Sequence, residues 1–594
     1  MGCHFMPFAR AFVERYRDLL YNFHVMKKDN FVYKNRYQIL LALLLLMLCV
    51  IPLLLLPATK AHDNLFHLQR IDAIREEIIM GNWFGKIYTS TLDGNGYASP
   101  LFYGDILLYI PAVMVAFFGV SLLNAMKAFM IMIVVLSAIS MYVCTKKITG
   151  SDRAAFVGAV LFSLGSYMSS DILQRCALGE AQAFIFLPIV FYGFWQIMYG
   201  DKGKWYWLPA GLAQMIFCHT LSSVMTVLVL ALLLLFCFGQ IKKEPKRLLY
   251  FVVSAIVFLV LTADFIFPML EQMGSATFLS TDGFATMKWG SLSERSLPFW
   301  GVFSDFNFAT AACKKQWIPN GLGLAPVLLL VVWFIYRKEI KDKLLVKCFI
   351  LSGVFLFIAT NLFPWGALQN VAGLVQFPWR FLMFPTFFIA LAAAFIFRHD
   401  KKEKYFKGFM IAVVALSLCS FIINGVANYH RHFTNGKTET EILQLSENNI
   451  GAGEYLPTTD EFERDSKYND NYQAALIENA DKVFSDGELV TKLLRKDGKV
   501  IVTFSNNQKE DTYLDVPLVM YKGYSAVMED GTELECDYGM LNRIRVELPD
   551  VESGVVTFEY TGTKVQKMSR VINMFGTYGL MAYVIFDESK RKKQ

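Results

Sequence analysis

Apolar residues in this sequence come in blocks of about 17–25, the length a helix needs to cross a hydrocarbon core about 30 Å thick at about 1.5 Å per residue. The first block, Tyr37–Pro57, contains the run LLALLLLMLCVIPLLLLP. Backbone amides and carbonyls cannot be left open in lipid, so each block has to close its own hydrogen bonds as a helix. The expected fold is therefore mainly α, a polytopic transmembrane helix bundle. Composition agrees: 55% of residues are hydrophobic and the mean hydropathy is +0.39, where a soluble domain stays at or under about half apolar. Tyr37–Pro57 is too long for a signal-peptide core, has no small-residue cleavage site, and follows a basic segment, residues 1–36, so it reads as a retained span. Met1-Gly2-Cys3 suggests lipidation, but Met6 stands where the myristoylation pattern needs Ser or Thr.

A net charge of +6 in a soluble chain would suggest nucleic acid. Here the basic residues fall between the apolar blocks, so they report topology and no nucleic-acid partner is expected. They cluster before the first block (Arg10, Arg15, Arg17, Lys27, Lys28, Lys34, Arg36) and at Lys146/Lys147/Arg153, Lys202/Lys204, Lys242/Lys243/Lys246/Arg247, Arg337/Lys338/Lys341/Lys343, Arg398/Lys401/Lys402/Lys404 and Lys590–Lys593. All these loops share the cytoplasmic face if the spans are 38–57, 124–145, 154–172, 182–199, 205–218, 221–238, 248–270, 320–336, 344–363, 381–397, 406–427 and 569–586, about twelve in all. Leu107–Val120 is also apolar. Counting it as a span would invert everything after it, so a re-entrant or interfacial helix is expected there.

Four regions follow. Residues 1–36 form a cytoplasmic segment, and 37–427 the transmembrane domain with outer loops 58–106 and 271–319. Residues 428–567 form an extracytoplasmic soluble domain, β-rich from about 480, and 568–594 the last span with its basic tail. Ile544/Val546/Leu548 alternate with Arg543/Arg545/Glu547, and Val556/Phe558/Tyr560 with Thr557/Glu559. Lys499–Ser505 and Tyr513–Met520 are strand-like too, with turns at Asp497-Gly498 and Asp530-Gly531. Short strands at this spacing predict a β-sandwich-like domain. Cys49, Cys144, Cys237, Cys348 and Cys419 lie in apolar runs and no CxxC occurs, so neither a disulfide framework nor a zinc site is supported.

Several polar residues at span ends share the outer face. The first outer loop opens His62-Asp63-Asn64-Leu65-Phe66-His67-Leu68-Gln69-Arg70. In a helix, Asp63, His67 and Arg70 line one side; alternatively Asp63 simply caps an interfacial helix and Arg70 meets lipid phosphate. Arg175 and Glu180 lie between two apolar spans, where charge is costly unless paired or functional. His219 occupies the hairpin CHTLSS, where a satisfied polar role is the plainer reading. Arg380, in Phe377-Pro378-Trp379-Arg380, could clamp a phosphate bidentately or merely anchor an interface beside Trp379. Asp264, in the seventh span, reads as the most buried acid and nearly the only intramembrane one.

The stretches HDNLFHLQRI (62–71), GYASPLFYGDILLYIPA (96–112), RCALGEAQAFIFLPIVFYG (175–193), CHTLSS, FPWRFL (377–382), GAGEYLP (451–457) and VPLVMYKGYSA (516–526) carry a resemblance over nearly the whole chain. The sequence resembles the GT-C class of membrane glycosyltransferases, and within it bacterial membrane proteins labelled 6-pyruvoyl-tetrahydropterin-synthase-related, neighbours of the lipoteichoic-acid-glycosylating YfhO-like proteins. No three-His zinc set supports the synthase activity in that label. The resemblance implies a GT-C-like bundle in the bacterial cytoplasmic membrane. It also implies transfer of a sugar from a polyprenyl-phosphate donor to a cell-envelope glycan or polymer acceptor on the outer face. An acid early in the first outer loop would be the base, and Asp63 occupies that position. Asp63 and Glu180 are thus the candidate catalytic residues, and His62, His67, Arg70, Arg175, His219 and Arg380 the candidate substrate-binding ones. Members differ in metal dependence, and His62 with His67 leaves a divalent metal ion open. The chain departs from better-known relatives in having no second acidic motif in the first loop beyond Asp72, Glu76, Glu77 and Asp93.

The chemistry suits such residues: an arginine at a span end can stabilise a phosphate leaving group, and a carboxylate can deprotonate an acceptor hydroxyl for attack at the anomeric carbon. Other readings stay open. A flippase or transporter predicts two similar halves with broken helices and mid-membrane charge pairs, and no such repeat is visible. A non-catalytic envelope-assembly or glycan-binding scaffold, and a polysaccharide polymerase or ligase, fit the same topology.

Overall fold

The structure is a computed structural model that describes residues 31–55, 61–304, 321–399, 404–435, 438–485, 489–506 and 512–593. The basic residues before position 31, the Met1-Gly2-Cys3 start, and Lys401 and Lys402 lie outside the described residues.

Every segment read as a span contains helix. Among the described residues, five helices are long and apolar enough to cross a membrane: Arg36–Leu55, Leu122–Thr149, Leu178–Met198, Pro378–Phe397 and Tyr405–Ala427. The count reaches seven if two bent pairs each make one span. Asp152–Ser163 continues into Ser166–Arg175 with a 42° bend, and Lys246–Leu261 into Ala263–Met273 with a 73° bend. The first break falls at Gly165, where a Cβ would overlap the Leu161 carbonyl. Trp207–Ile216 is only 10 residues long, and Thr220–Phe236 and Ala325–Tyr336 are short apolar helices as well. Ile106–Phe118 is a further short apolar helix, ended by Gly119 in a left-handed conformation. Thirteen helical residues rise only about 20 Å, so this segment stops short of a full crossing.

Close packing in the bundle depends on small residues, because lipid supplies no hydrophobic drive between helices. Gly193 is one contact: a Cβ there would overlap the backbone of Leu208 on the next helix. The bundle core is one large apolar cluster that includes Phe162, Phe184, Phe191, Phe387 and Phe388. Asp264 is not its most buried acid. Asp171 is 0% exposed, whereas Asp264 keeps 23% side-chain exposure at the 73° bend. A lone acid in the run 154–172 was visible in sequence, but its depth follows from the bend that turns it inward.

On one end of the bundle lies a second layer. Helix Lys404–Asn435 runs past position 428 into it, and short helices Glu439–Ser446 and Tyr468–Glu478 follow. The strands are β1 Leu489–Lys496, β2 Lys499–Asn506, β3 Tyr513–Val519, β4 Tyr524–Met528, β5 Glu533–Leu534, β6 Asp537–Tyr538, β7 Arg543–Glu547 and β8 Ser553–Tyr560. They form a five-stranded sheet β1-β2-β8-β4-β5 and a three-stranded sheet β3-β7-β6, with every pairing antiparallel. Asp497 and Gly498 both have positive φ, which gives the hairpin β1–β2 the twist a two-residue turn requires. The period-two alternation sends Val502, Phe504, Val556 and Phe558 from one sheet, and Leu514, Val516, Ile544 and Val546 from the other, into one apolar cluster.

This layer is not detached from the outer loops. Ile87, Tyr97 and Phe102 share a core with Phe278, Phe284, Leu456, Tyr472 and Tyr521. Arg495 donates to the carbonyls of Gly94 (2.6 Å), Ala480 (2.9 Å) and Pro517 (3.2 Å). Loops 61–106 and 271–304 and the described residues of the C-terminal domain thus form one continuous cap on the bundle.

Candidate functional site

The site forms where the cap meets the bundle. Asp63 sits at the N-cap position of helix Asn64–Ile79, yet its side chain makes no capping hydrogen bond; Asn64 instead accepts from the Ala61 amide. The Asp63 amide donates to the Arg175 carbonyl at 3.0 Å, which pins the loop to the bundle. Its half-buried carboxylate has no hydrogen-bond or ion-pair partner among the described residues. Burial raises its pKa; the nearby Arg175 and Arg380 guanidiniums pull it back down, and Glu180 adds to the rise.

Arg175 ends a π-helical turn, Ser170–Arg175, and Cys176 follows with φ of 54°. A π-turn and a non-glycine left-handed residue both cost energy and concentrate at functional sites. Together they bring Arg175 against Asp171 and Glu180, with Glu180 at 3.0 Å. Glu180 also accepts from the Tyr167 hydroxyl and faces Arg380 Nε at 3.5 Å. The Arg175–Glu180 pair read from the sequence is therefore present, inside a larger buried cluster. Arg380 donates to Gln376 Oε1 at 2.8 Å, and Gln376 itself has φ of 57°. The Arg380 guanidinium lies 5.1 Å from the Phe377 ring centroid.

Arg70 is buried and donates to the carbonyls of Tyr103 (3.2 Å) and Gly104 (2.9 Å), with its guanidinium 4.3 Å from the Tyr103 ring centre. Tyr103 in turn packs edge-on against His219 at 5.5 Å, and its hydroxyl fills the space beside Gly179 that any Cβ would occupy. His219 caps helix Thr220–Phe236, its Nδ1 accepting from the Ser222 amide at 3.2 Å. His67 is buried, and burial beside Arg70 and His219 holds it neutral, well below the ordinary histidine pKa. His62 is exposed. Arg175, Glu180 and Arg380 thus meet directly, Asp63 is tied to them by its backbone amide and by charge, Arg70 and His219 join through Tyr103, and His62 is exposed.

The other first-loop acids are occupied elsewhere. Asp72 and Glu76 both pair with Arg75. Glu77 accepts from the Thr89 amide and hydroxyl (2.7 and 2.6 Å), and Asp93 accepts from Asn448. No group of three or more His, Cys, Asp or Glu that could hold a metal ion occurs among the described residues.

Three contributors escaped the sequence reading. Asp171 completes the arginine cluster. Glu454 comes from the cap segment 451–457; burial raises its pKa, and its charge acts on the same site as Asp63 and Arg380. Its signal was its place in GAGEYLP. Arg295 is 0% exposed, lies 5.6 Å from the Phe377 ring centroid, and leaves Nη1 and Nη2 without hydrogen-bond partners among the described residues. Burial and the neighbouring Arg380 lower its pKa to about 10. Its neighbours in SLSERSLP gave no hint of this depth.

A family model described as bacterial membrane protein YfhO matches residues 107–451. No curated protein matches the sequence. Among solved structures, the archaeal oligosaccharyltransferase AglB from Archaeoglobus fulgidus, in complex with an inhibitory peptide and a dolichol-phosphate, is similar at 12% identity and a TM-score of 0.35. That alignment covers 73% of this chain and 62% of the other, so the chain spans under two thirds of AglB's length.

Proposed function

Because the chain belongs to the YfhO family of bacterial membrane proteins, we propose that it is a membrane glycosyltransferase that moves a sugar from a polyprenyl-phosphate donor to a cell-envelope acceptor. On this reading about twelve helices cross the cytoplasmic membrane, and the cap with its sandwich-like domain faces outward.

The observation that carries the proposal is the state of Asp63. Asp171 and Glu180 already pair with Arg175, and Glu180 lies beside Arg380. Asp63 is left over, neither capping its helix nor paired among the described residues. An uncommitted carboxylate beside guanidiniums is suited to be a base, because the cations favour its ionised form. Asp63 takes the proton of the acceptor hydroxyl as that oxygen attacks the anomeric carbon. The bond from that carbon to the donor's phosphate oxygen breaks, and the electron pair leaves with the phosphate. Arg380, with the unpartnered Nη groups of Arg295 beyond Phe377, stabilises the departing anion. One displacement inverts the anomeric centre. Glu180 acts by positioning, holding Arg175 and Arg380 where the charge develops. Arg70, through Tyr103, and His219 shape the wall, and His67 stays neutral.

The test uses the full chain in nanodiscs, radiolabelled polyprenyl-phosphate sugars and candidate envelope acceptors. Asp63→Asn should cut transfer by about 10² or more, equivalent to about 2.7 kcal/mol of barrier, with folding near wild type. Transfer that survives Asp63→Asn removes Asp63 as the base, and no transfer at all from the wild type hands the protein to the scaffold reading.

A further inference from the structure

Behind the Arg70–Tyr103–Gly104 wall lies a separate cavity of about 270 Å³. Four distant parts of the chain enclose it: the first loop and the short helix after it (Phe84, Lys86, Asp105, Tyr109), the end of helix Trp207–Ile216 (Phe217), the bent helix (Asp264, Phe265) and the last helix (Arg570). The mechanism above uses none of these side chains.

The lining is ordered by charge. At the mouth, Arg570 is 60% exposed and Phe84 and Ile106 are exposed apolar side chains, as expected where a cavity opens toward lipid. Arg570 Nε lies 3.6 Å from Asp264 Oδ1, too long for a hydrogen bond. Lys86 donates to the carbonyl and Oδ2 of Asp264 at 3.1 and 3.3 Å. Asp264 Oδ1 is buried with no hydrogen-bond partner among the described residues. The less exposed lining includes the rings of Tyr109, Phe217 and Phe265 and the half-buried Asp105, one of whose oxygens accepts from the Tyr88 hydroxyl at 2.8 Å.

Two cations and two carboxylates line the cavity, so its charges balance when all are ionised. That balance disfavours a simple anion. A basic mouth with an acidic, aromatic interior matches a zwitterion that enters ammonium first: rings and carboxylates receive an ammonium, while guanidinium receives a phosphate. The volume is below the roughly 300–1,000 Å³ typical of drug-sized ligand sites, room for a headgroup and little more. We propose that this cavity binds a phosphoethanolamine headgroup, supplied by a zwitterionic phospholipid of the leaflet on the cap side. The ammonium sits against Asp105, Tyr109 and Phe265, and the phosphate against Arg570 and Lys86. A lipid held there ties the last helix to the first outer loop.

The experiment measures binding to the full-length detergent-purified protein, with lysophosphatidylethanolamine, lysophosphatidylcholine, lysophosphatidylglycerol and free O-phosphoethanolamine as probes. The wild type should bind the ethanolamine lysolipid at least tenfold tighter than the glycerol or choline ones. Asp105→Asn still accepts from Tyr88, and should lower ethanolamine-lysolipid affinity about tenfold while leaving the glycerol lysolipid unchanged. Arg570→Gln, at an exposed position, should weaken every phospholipid. Equal binding of the three lysolipids, or an ethanolamine preference intact in Asp105→Asn, overturns the site. Free O-phosphoethanolamine binding as tightly as its lysolipid overturns the lipid as its source. No arm depends on glycosyl transfer, so the outcome is independent of the catalytic proposal.

Discussion

Glu180→Ala is the substitution whose consequence the site geometry fixes most tightly. Glu180 is 2% exposed and lies 3.0 Å from Arg175 and 3.5 Å from Arg380, which are 4% and 12% exposed; it also accepts from Tyr167. Truncating it strands guanidinium charge in a nearly dry site, where breaking a buried pair costs about 3–5 kcal/mol. Asp171 remains on Arg175 and Gln376 on Arg380, so the lower end, about 3 kcal/mol, is expected. Glu180→Gln retains the volume and an acceptor for Tyr167, and should lose roughly half as much. The assay is equilibrium unfolding of the detergent-purified full chain, with Arg175→Met and the double substitution completing a cycle. Removing both partners cancels their mutual term, although Asp171 still loses Arg175, so the double variant should be more stable than the sum of the single losses predicts, by about 1–3 kcal/mol. If Glu180→Ala stays within about 0.5 kcal/mol of wild type, as a surface substitution would, the cluster does not hold the site together.

Arg380→Lys keeps the charge but loses the planar fork, so apparent donor affinity should fall in a transfer assay; unchanged donor KM with normal folding would remove Arg380 from the phosphate site. Burial raises the Asp63 pKa from its ordinary value, and a base works only when ionised, so the pH–rate profile should rise with pH through a limb displaced to higher pH. Arg380→Gln deletes one of the charges that lower that pKa, and should move the limb further up; a limb that stays put would separate the two residues. Gly179→Ala drives a Cβ into the Tyr103 hydroxyl and to 3.1 Å from the His219 ring, and overpacking of this kind should cost about 1–3 kcal/mol in the same unfolding assay. For topology, a cysteine at the exposed Asp530 turn should label from outside the cell; Asn95 is no alternative, because it is buried against the carbonyls of Leu92 and Leu476.

Much of the fold was legible because it depends on local patterns. Apolar runs longer than a bilayer needs can only be helices, and the alternation at 543–548 and 556–560 matched β7 and β8. A sequence also shows which charges stand at span ends, and Asp63, Arg175, Glu180 and Arg380 were singled out that way. Local pattern says nothing of bends. The break at Gly165 and the π-turn before Cys176 are what turn Asp171 inward and set its carboxylate against Arg175. Nor does it say how far a soluble domain stands off, and the shared core of Tyr97, Phe278 and Tyr521 brings Glu454 over the site.

The sequence by itself determined that this chain lies in a membrane, roughly where its helices run, and which of its charged residues stand at their ends, because burial in lipid constrains each segment independently of the others. Only the tertiary structure decided which carboxylate is committed and which is spare. Asp63, for which a helix cap was the plainer alternative, makes no cap bond, while Glu180, the other candidate catalytic acid, spends its oxygens on Tyr167 and Arg175. Whether an acid is paired depends on what other chain segments place within a few ångströms of it, and those segments come from positions 63, 167–180, 295, 376–380 and 454, with no regular spacing for a sequence to display.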